Sequence, residues 1–316
     1  MRYSANEIKN ILDSNNFIVS KSIIKHPECT IEHCLTDSRQ VSFMDTTLFV
    51  ALETNTGSGH KYVEELYKQG VKNFLISIWN KNYEQFDANF FLVDNTLKAL
   101  QALAMYHRDN FIHGAELFRF PIIGVTGSNG KTIVKEWLYQ LLKDKFNCCR
   151  SPKSYNSQIG VPLSVLNLNE NHNLGIFEAG ISQTNEMERL AMIIKPKIGI
   201  ITNIGNAHNA GFHSIEEKIE EKIKLFYPAY TVICPSKYGV EKYFEKKLTQ
   251  LITWGINDEN AIINVEKEVL DNATIVKFNY NNRCFIANYI RKVLDISLNT
   301  QKSWYKEPKH YNFLNN

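Results

Sequence analysis

Gly127-Ser128-Asn129-Gly130-Lys131-Thr132 is the stretch that most narrows what this chain can fold into. An apolar run, Phe120 to Val125, leads into it, and a helical pattern, Ile133 to Leu142, leads out. Strand, glycine turn with Lys-Thr, then helix is the arrangement of a phosphate-binding loop. Glycines let backbone N–H groups close around an anion with no Cβ in the way. The helix start adds its partial positive charge. Lys131 supplies a point charge for the outer phosphates of ATP, and Thr132 a hydroxyl for Mg²⁺. Read alone, the stretch is also compatible with a glycine-rich turn carrying a solvated lysine; the flanking strand and helix favour the loop. The common loop has a glycine five positions before the one that precedes lysine, where this chain has Val125. The spacing is the tighter Gly-x-x-Gly-Lys-Thr.

Composition removes several classes of function. A chain of 316 residues suits two domains and can bury sizeable cores. Its 44% hydrophobic and 22% charged residues are those of a globular protein, and a net charge of +3 gives no reason to invoke nucleic acid. No run of ~18 apolar residues suggests a membrane span. Glu7, Lys9 and Asp13 near the start are unlike a secretory signal. Cys29, Cys34, Cys148, Cys149, Cys234 and Cys284 form no Cys-x-x-Cys pair, which reads as thiols in a reducing cytoplasm and argues against zinc.

Periodicity predicts an α/β protein. Ser4 and Glu7 form a capping box before Ile8, Ile11 and Leu12. Thr47 to Leu52, Asn73 to Ile78 and Asn89 to Val93 read as strands, and Lys61 to Gln69 and Thr96 to Arg108 as helices. The expectation is a small α/β substrate domain over 1–112, with 109–116 as linker. A central domain over 113–316 then alternates strand and helix. Strands are expected at 122–125, 175–179, 198–204, 230–234 and 251–254, and helices at 131–142, from about Ser157, at 185–194 and from Ser214 to Phe226. That alternation implies a mainly parallel sheet flanked by helices, with ligands at the carboxyl ends of its strands. Segments 274–280 and 283–290 read as a hairpin across Asn281-Asn282, and 297–316 carries no periodicity.

Four segments together resemble the Mur ligase superfamily, in its MurF branch. They are Gly127 to Thr132; Ser154 to Pro162; Phe177-Glu178-Ala179-Gly180; and Thr202-Asn203 through His208 and Gly211-Phe212 to Lys222. Thr36-Asp37-Ser38-Arg39, Leu48 to Leu52 and Gly59-His60 are similar to the domain that holds the UDP end of that branch's substrate. The nearest likeness is to the ligase half of proteins that fuse this ligase to an alanine racemase. The resemblance implies a cytoplasmic ligase of peptidoglycan precursor synthesis, which joins D-Ala-D-Ala to UDP-MurNAc-tripeptide using ATP. The family's third, carboxyl-terminal domain would begin about where this chain ends.

The resemblance also implies roles. Gly127, Ser128, Asn129, Gly130, Lys131 and Thr132 bind ATP. Thr132, Glu178, His208 and Lys222 hold two Mg²⁺, with Lys222 carbamoylated by CO₂. Lys131, Glu178, His208 and Lys222 carry the catalysis. Thr36, Asp37, Ser38, Arg39, His60, Asn156 and Ser157 contact the UDP-sugar peptide. Read from the residues alone, Glu178 is equally a solvated strand end, His208 a structural histidine, and Lys222 a surface lysine with Lys218 and Lys224 as rivals. A folylpolyglutamate synthase or cyanophycin synthetase would share the central domain but not the Thr36 to His60 stretch. A nucleotide- or UDP-sugar-binding module without turnover is the reading from another class.

Overall fold

The structure, a computed structural model, describes residues 1–17, 22–40, 42–55, 57–113, 121–205, 211–244, 248–270, 273–280 and 283–290. Contacts divide the chain into two units. The first is Met1–Phe120 with Ser154–His172 and Met192–Ile194; the second is Pro121–Lys153, Asn173–Ala191 and Lys195–Asn316. Among the described residues no helix is long and apolar enough to cross a membrane.

The first unit opens with β1 (Tyr3–Ser4), α1 (Ala5–Ser14) and β2 (Thr30–Ile31), which pairs antiparallel with β1. The capping box is formed: the Glu7 N–H donates to Ser4 Oγ at 3.1 Å, and the Ser4 N–H to Glu7 Oε2 at 2.6 Å. Its main sheet is all parallel, in the order β3 (His33–Leu35), β4 (Thr47–Val50), β7 (Asn73–Ile76), β8 (Asn89–Leu92). Between β4 and β7 lie the small ladder β5 (Glu53–Thr54) and β6 (Gly57–Ser58), a 3₁₀ turn at Gly59–Tyr62, and α2 (Val63–Lys68). Phe49, Phe74 and Phe90 are fully buried in the core of this sheet, with Phe74 and Phe90 stacked at 5.2 Å. Each such ring contributes ~1.5–3 kcal/mol of burial energy.

Helix α3 (Thr96–His113) runs five residues into the stretch expected to be linker. The polar residues there are helical because two of their neighbours are buried and bonded. Arg108 is 3% exposed and pairs with Asp109 at 2.7 Å. His107 accepts from the Tyr3 hydroxyl at 2.9 Å through Nδ1, and its Nε2–H donates to the Leu168 carbonyl at 2.8 Å.

In the second unit the sheet order is β10 (Cys148–Arg150), β11 (Leu174–Glu178), β9 (Ile122–Thr126), β12 (Ile198–Ile201), β13 (Thr231–Pro235), β14 (Gln250–Ile256), β15 (Ile263–Val269), β16 (Ala273–Tyr280), β17 (Arg283–Ile290). The pairings are parallel from β10 to β15 and antiparallel from β15 to β17. The 274–280 and 283–290 pairing is therefore present. Strand β15 was not anticipated, because its Glu266, Lys267 and Glu268 are exposed and leave no apolar run to see. The helices are α4 (Lys131–Leu142), α6 (Met187–Ile194) and α7 (Ile215–Ile223); α5 (Gly160–Val165) packs on α3 in the first unit. The chain leaving β9 runs through α4 to β10, beyond β11 on one side, and the chain leaving β12 runs to β13 on the other, so these two neighbouring connections diverge. That is the point where parallel sheets open a crevice at their carboxyl ends.

Candidate functional site

The phosphate-loop segment follows β9 into that crevice. Helix α4 starts on Gly130 at φ 77°, a left-handed backbone, and no side chain caps it. Its first N–H groups therefore point into the loop, as an anion site requires. Gly127 is needed for space as well as for its φ of 149°: a Cβ there would stand 2.0 Å from Thr202 Oγ1. Two residues at the end of β12 support the loop. The Ser128 N–H donates to the Asn203 carbonyl at 2.7 Å and the Asn129 N–H to Asn203 Oδ1 at 2.9 Å. Thr202 Oγ1 donates to the Asn129 carbonyl at 2.6 Å.

Glu178 ends β11, in register with Val125 of β9, and is fully buried. The Thr132 hydroxyl donates to its Oε1 at 3.3 Å, and the Glu178 N–H donates to Ser151 Oγ at 3.3 Å. A buried carboxylate and a hydroxyl side by side are a hard-oxygen donor set of the kind Mg²⁺ takes. The solvated-strand-end reading of Glu178 is thereby excluded.

Lys131 is half-buried, with its Nζ donating to the carbonyls of Gly127 at 3.0 Å and Ser128 at 3.3 Å. Burial lowers its pKa, and Glu178 opposes the shift. Lys222 is 2% exposed and donates to the same Gly127 carbonyl at 3.2 Å. Burial, then the ammoniums of Lys131 and Lys218, push its pKa down to about 7, against the pull of Glu221. Lys222 is thus no surface lysine, and its amine is less basic than an ordinary lysine's. Of its rivals, Lys224 is held charged by Glu221 at 2.9 Å and Glu188 at 3.3 Å, which raise its pKa. Lys218 is 2% exposed, and its Nζ donates to the Gly205 carbonyl at 2.7 Å, an oxygen that also accepts from Ser128 Oγ at 3.1 Å.

The Mur ligase middle domain, as a family, matches residues 125–298. This chain belongs to the Mur ligase family. Curated relatives include the UDP-N-acetylmuramoyl-tripeptide--D-alanyl-D-alanine ligase of Borreliella burgdorferi, 35% identical over 227 residues that make up 69% of this chain and 47% of the relative. The enzyme of the same name from Rickettsia prowazekii is 30% identical over 255 residues, 80% of this chain and 51% of the relative. The chain spans about half the length of the curated relatives it matches. Among solved structures, MurF from Acinetobacter baumannii has the same fold, with a TM-score of 0.77 at 20% identity, covering 97% of this chain and 68% of that one. MurF from Thermotoga maritima, solved in complex with ADP, gives 0.69 at 24% identity, covering 81% and 58%.

The other residues expected to serve a Mur ligase fall in different places. His208 lies outside the described residues. Asp37, Ser38 and Arg39 follow β3 at the carboxyl end of the first sheet. Arg39 grips Asp37 with two bonds, Nε to Oδ1 at 2.9 Å and Nη2 to Oδ2 at 2.8 Å, and its side chain is 86% exposed. Those bonds pull the Asp37 pKa down to about 2. Thr36 leads into this turn, half-buried. His60 sits in the turn before α2, beyond the end of β4. Asn156 and Ser157 precede α5 and group with the first unit; Ser157 Oγ accepts the Gly160 N–H at 3.1 Å.

Sequence reasoning missed the loop-supporting role of Asn203 and Thr202. It also missed Lys135, one turn after Lys131, which is fully buried and donates to the carbonyls of Ser151, at 2.6 Å, and Lys153. The available signal was spacing: Lys131 and Lys135 stand four apart, so they share a helix face.

Proposed function

We propose that this chain provides the ATP- and UDP-sugar-binding parts of an ATP-dependent amide ligase, which joins D-Ala-D-Ala to UDP-MurNAc-tripeptide. The observation that carries the reading is the convergence of Lys131, Lys222, Thr132 and buried Glu178 on one phosphate loop. The names of the curated relatives supply the substrates. In this reading residues 1–112 bind the UDP-sugar peptide and 113–316 the nucleotide. An alanine racemase, fused or separate, is the partner that supplies D-alanine, and the cytoplasm is the compartment.

A substrate carboxylate attacks the γ-phosphorus of ATP, and the β–γ bond breaks to give an acyl phosphate and ADP. The D-Ala-D-Ala amine then attacks the acyl carbon, and inorganic phosphate leaves with the C–O bond electrons. Phosphorylation is required because a carboxylate has no good leaving group. Lys131 turns from its loop carbonyls to the phosphates and offsets their charge. Asn156 and Ser157 orient the acceptor carboxylate. Thr132 and Glu178 would hold one Mg²⁺, and His208 with Lys222 a second; bound, these ions neutralise charge on the transferring phosphoryl group.

Lys222 requires a change of charge to serve a cation. Its free amine attacks CO₂, one proton leaves, and an N-carboxylate results. Depressed basicity is what allows this, since an ammonium has no lone pair to attack with.

Phosphate release on mixing chain, ATP, UDP-MurNAc-tripeptide and D-Ala-D-Ala tests the reading. Omitting either acceptor should abolish it. The second reading is a binding module without turnover. Under it, ATP and the UDP-sugar peptide bind but no phosphate is released.

A further inference from the structure

Resting on the reading of the first unit as a UDP-sugar-peptide domain, we propose that His60 is a positioning residue, which holds the Ser77–Ile78 turn at the substrate edge of the first sheet and does not itself touch the substrate. The hydrogen bonds of the ring decide this. Nε2 accepts two backbone N–H groups, from Ser77 at 2.9 Å and Ile78 at 3.1 Å, with Ser77 Oγ also at 3.5 Å. An atom receiving two N–H bonds carries a lone pair, so the ring proton is on Nδ1. There it donates to Ser58 Oγ at 2.8 Å, and Ser58 Oγ accepts the His60 N–H as well, at 3.2 Å. Both ring nitrogens are committed within the protein, leaving neither for a sugar or phosphate oxygen.

The place matters as much as the bonding. Strand β7 ends at Ile76, so the two amides that His60 accepts are the first beyond it. The turn carrying His60 is tied to the exit of β4 by the Gly59 N–H, which donates to the Leu52 carbonyl at 2.7 Å. The imidazole thus bridges the exits of two neighbouring parallel strands. The third strand of that side, β3, exits into Asp37–Arg39. In a parallel sheet this carboxyl edge is where ligands bind. Removing the acceptor would take their partner from two amides, that of half-buried Ser77 and that of exposed Ile78, and let the edge drift. Protonation would do the same, by setting a third N–H against them. Burial lowers the His60 pKa and keeps the ring neutral; the carboxylate acting on it, Glu53 of β5, pulls weakly the other way.

The test compares His60→Gln, whose amide oxygen can replace the acceptor, with His60→Phe, which keeps a ring and loses it. Affinity for UDP-MurNAc-tripeptide and for ATP is measured by calorimetry from neutral pH down to the lowest pH at which the chain stays folded. His60→Phe should bind the UDP-sugar peptide ~10-fold or more weakly, the equivalent of one lost hydrogen bond or two. His60→Gln should retain most of the affinity, and ATP binding should be unchanged in both. Because burial holds the His60 ring neutral, wild-type affinity should fall only once acidification passes below the ordinary histidine range, while that of His60→Gln should not fall with it. His60→Phe binding as tightly as wild type, or His60→Gln as weak as His60→Phe, would overturn the proposal. Should His60→Phe not fold, the pH comparison between wild type and His60→Gln decides the matter alone. A wild-type chain that fails to bind the UDP-sugar peptide at all would sink the functional reading instead. The positioning role would then be judged by amide exchange at Ser77 and Ile78: protection in wild type and His60→Gln but not in His60→Phe supports it, and equal exchange in all three refutes it.

Discussion

Lys131 and Lys222 donate to one oxygen, the Gly127 carbonyl, at 3.0 and 3.2 Å. Two ammoniums sharing one acceptor repel each other, so the arrangement favours a neutral amine at one of them, and Lys222 is the more buried. In wild-type chain with Mg²⁺, an ATP analogue and ¹³C-bicarbonate, a carbamate resonance should appear in the NMR spectrum, and Lys222→Ala should remove it. A crystal of that same complex with an unmodified Lys222 would overturn the assignment. ATP should still dock in Lys222→Ala, because the loop N–H groups and Lys131 remain. Lys131→Ala should do the opposite and weaken ATP binding ~10–100-fold, the value of a charge-assisted bond to phosphate of ~1.5–3 kcal/mol. It should melt close to wild type, since Lys131 bonds only carbonyls of its own loop. Near-wild-type ATP affinity in calorimetry would refute the phosphate-loop role.

At the scale of elements, the loop depends on β12 as much as on its own glycines. Gly127→Ala combines a φ of 149°, which L side chains rarely adopt, with a 2.0 Å approach to Thr202 Oγ1. The strain should cost ~1–3 kcal/mol. A lowered melting temperature together with lost ATP binding is expected; a variant that binds ATP normally would show that the loop relaxes freely. Helix α7 shows why charge patterning misleads. Ile215-Glu216-Glu217-Lys218-Ile219-Glu220-Glu221-Lys222-Ile223 reads as a solvated charged helix, yet Lys218, Glu221 and Lys222 are all buried. Glu221 is desolvated, but its bonds from Lys224 and from the Met187 N–H outweigh that and keep its pKa low. Its carboxylate thus meets the start of α6, a favourable site for negative charge. The capping Ser214 was legible from sequence, accepting the Glu217 N–H at 3.0 Å. Glu217 does not bond back to the Ser214 N–H: its Oε2 accepts from the His213 N–H, at 2.6 Å.

For the whole molecule, acid sensitivity follows from His107. Burial, opposed by the bond to Leu168, pushes its pKa down to about 4 from the ordinary 6.5. A group with a depressed folded-state pKa binds its proton more readily when unfolded, so stability is lost as pH falls from about 6.5 towards 4, by ~3 kcal/mol. Denaturant titrations at about pH 7 and 4.5 should show this loss in wild type and a smaller one in His107→Gln. Equal losses would place the acid sensitivity elsewhere. The division into two units carries its own prediction. Arg39→Ala should weaken binding of the UDP-sugar peptide and leave ATP affinity intact, because Arg39 and the phosphate loop belong to different units. Calorimetry with each ligand separately checks it, and an equal fall in both would refute the assignment.

What the sequence determined by itself is local or periodic. Glycine spacing with Lys-Thr after an apolar strand specified the phosphate loop, because few backbones accept that pattern. Alternating strand and helix patterns specified a parallel α/β sheet, because a strand buried on both faces must be apolar throughout. The Ser4 cap was legible for the same reason, lying within four residues of its partner. Tertiary structure alone decided the states of the chemical groups. Lys222 and Lys218 are buried because the second unit packs over that face of α7, which no local pattern encodes. His60 has its Nε2 committed to amides 17 and 18 residues away. Lys135 grips carbonyls 16 and 18 residues on. Burial and partner set protonation, and both are properties of residues distant in the chain that the fold brings within hydrogen-bond reach.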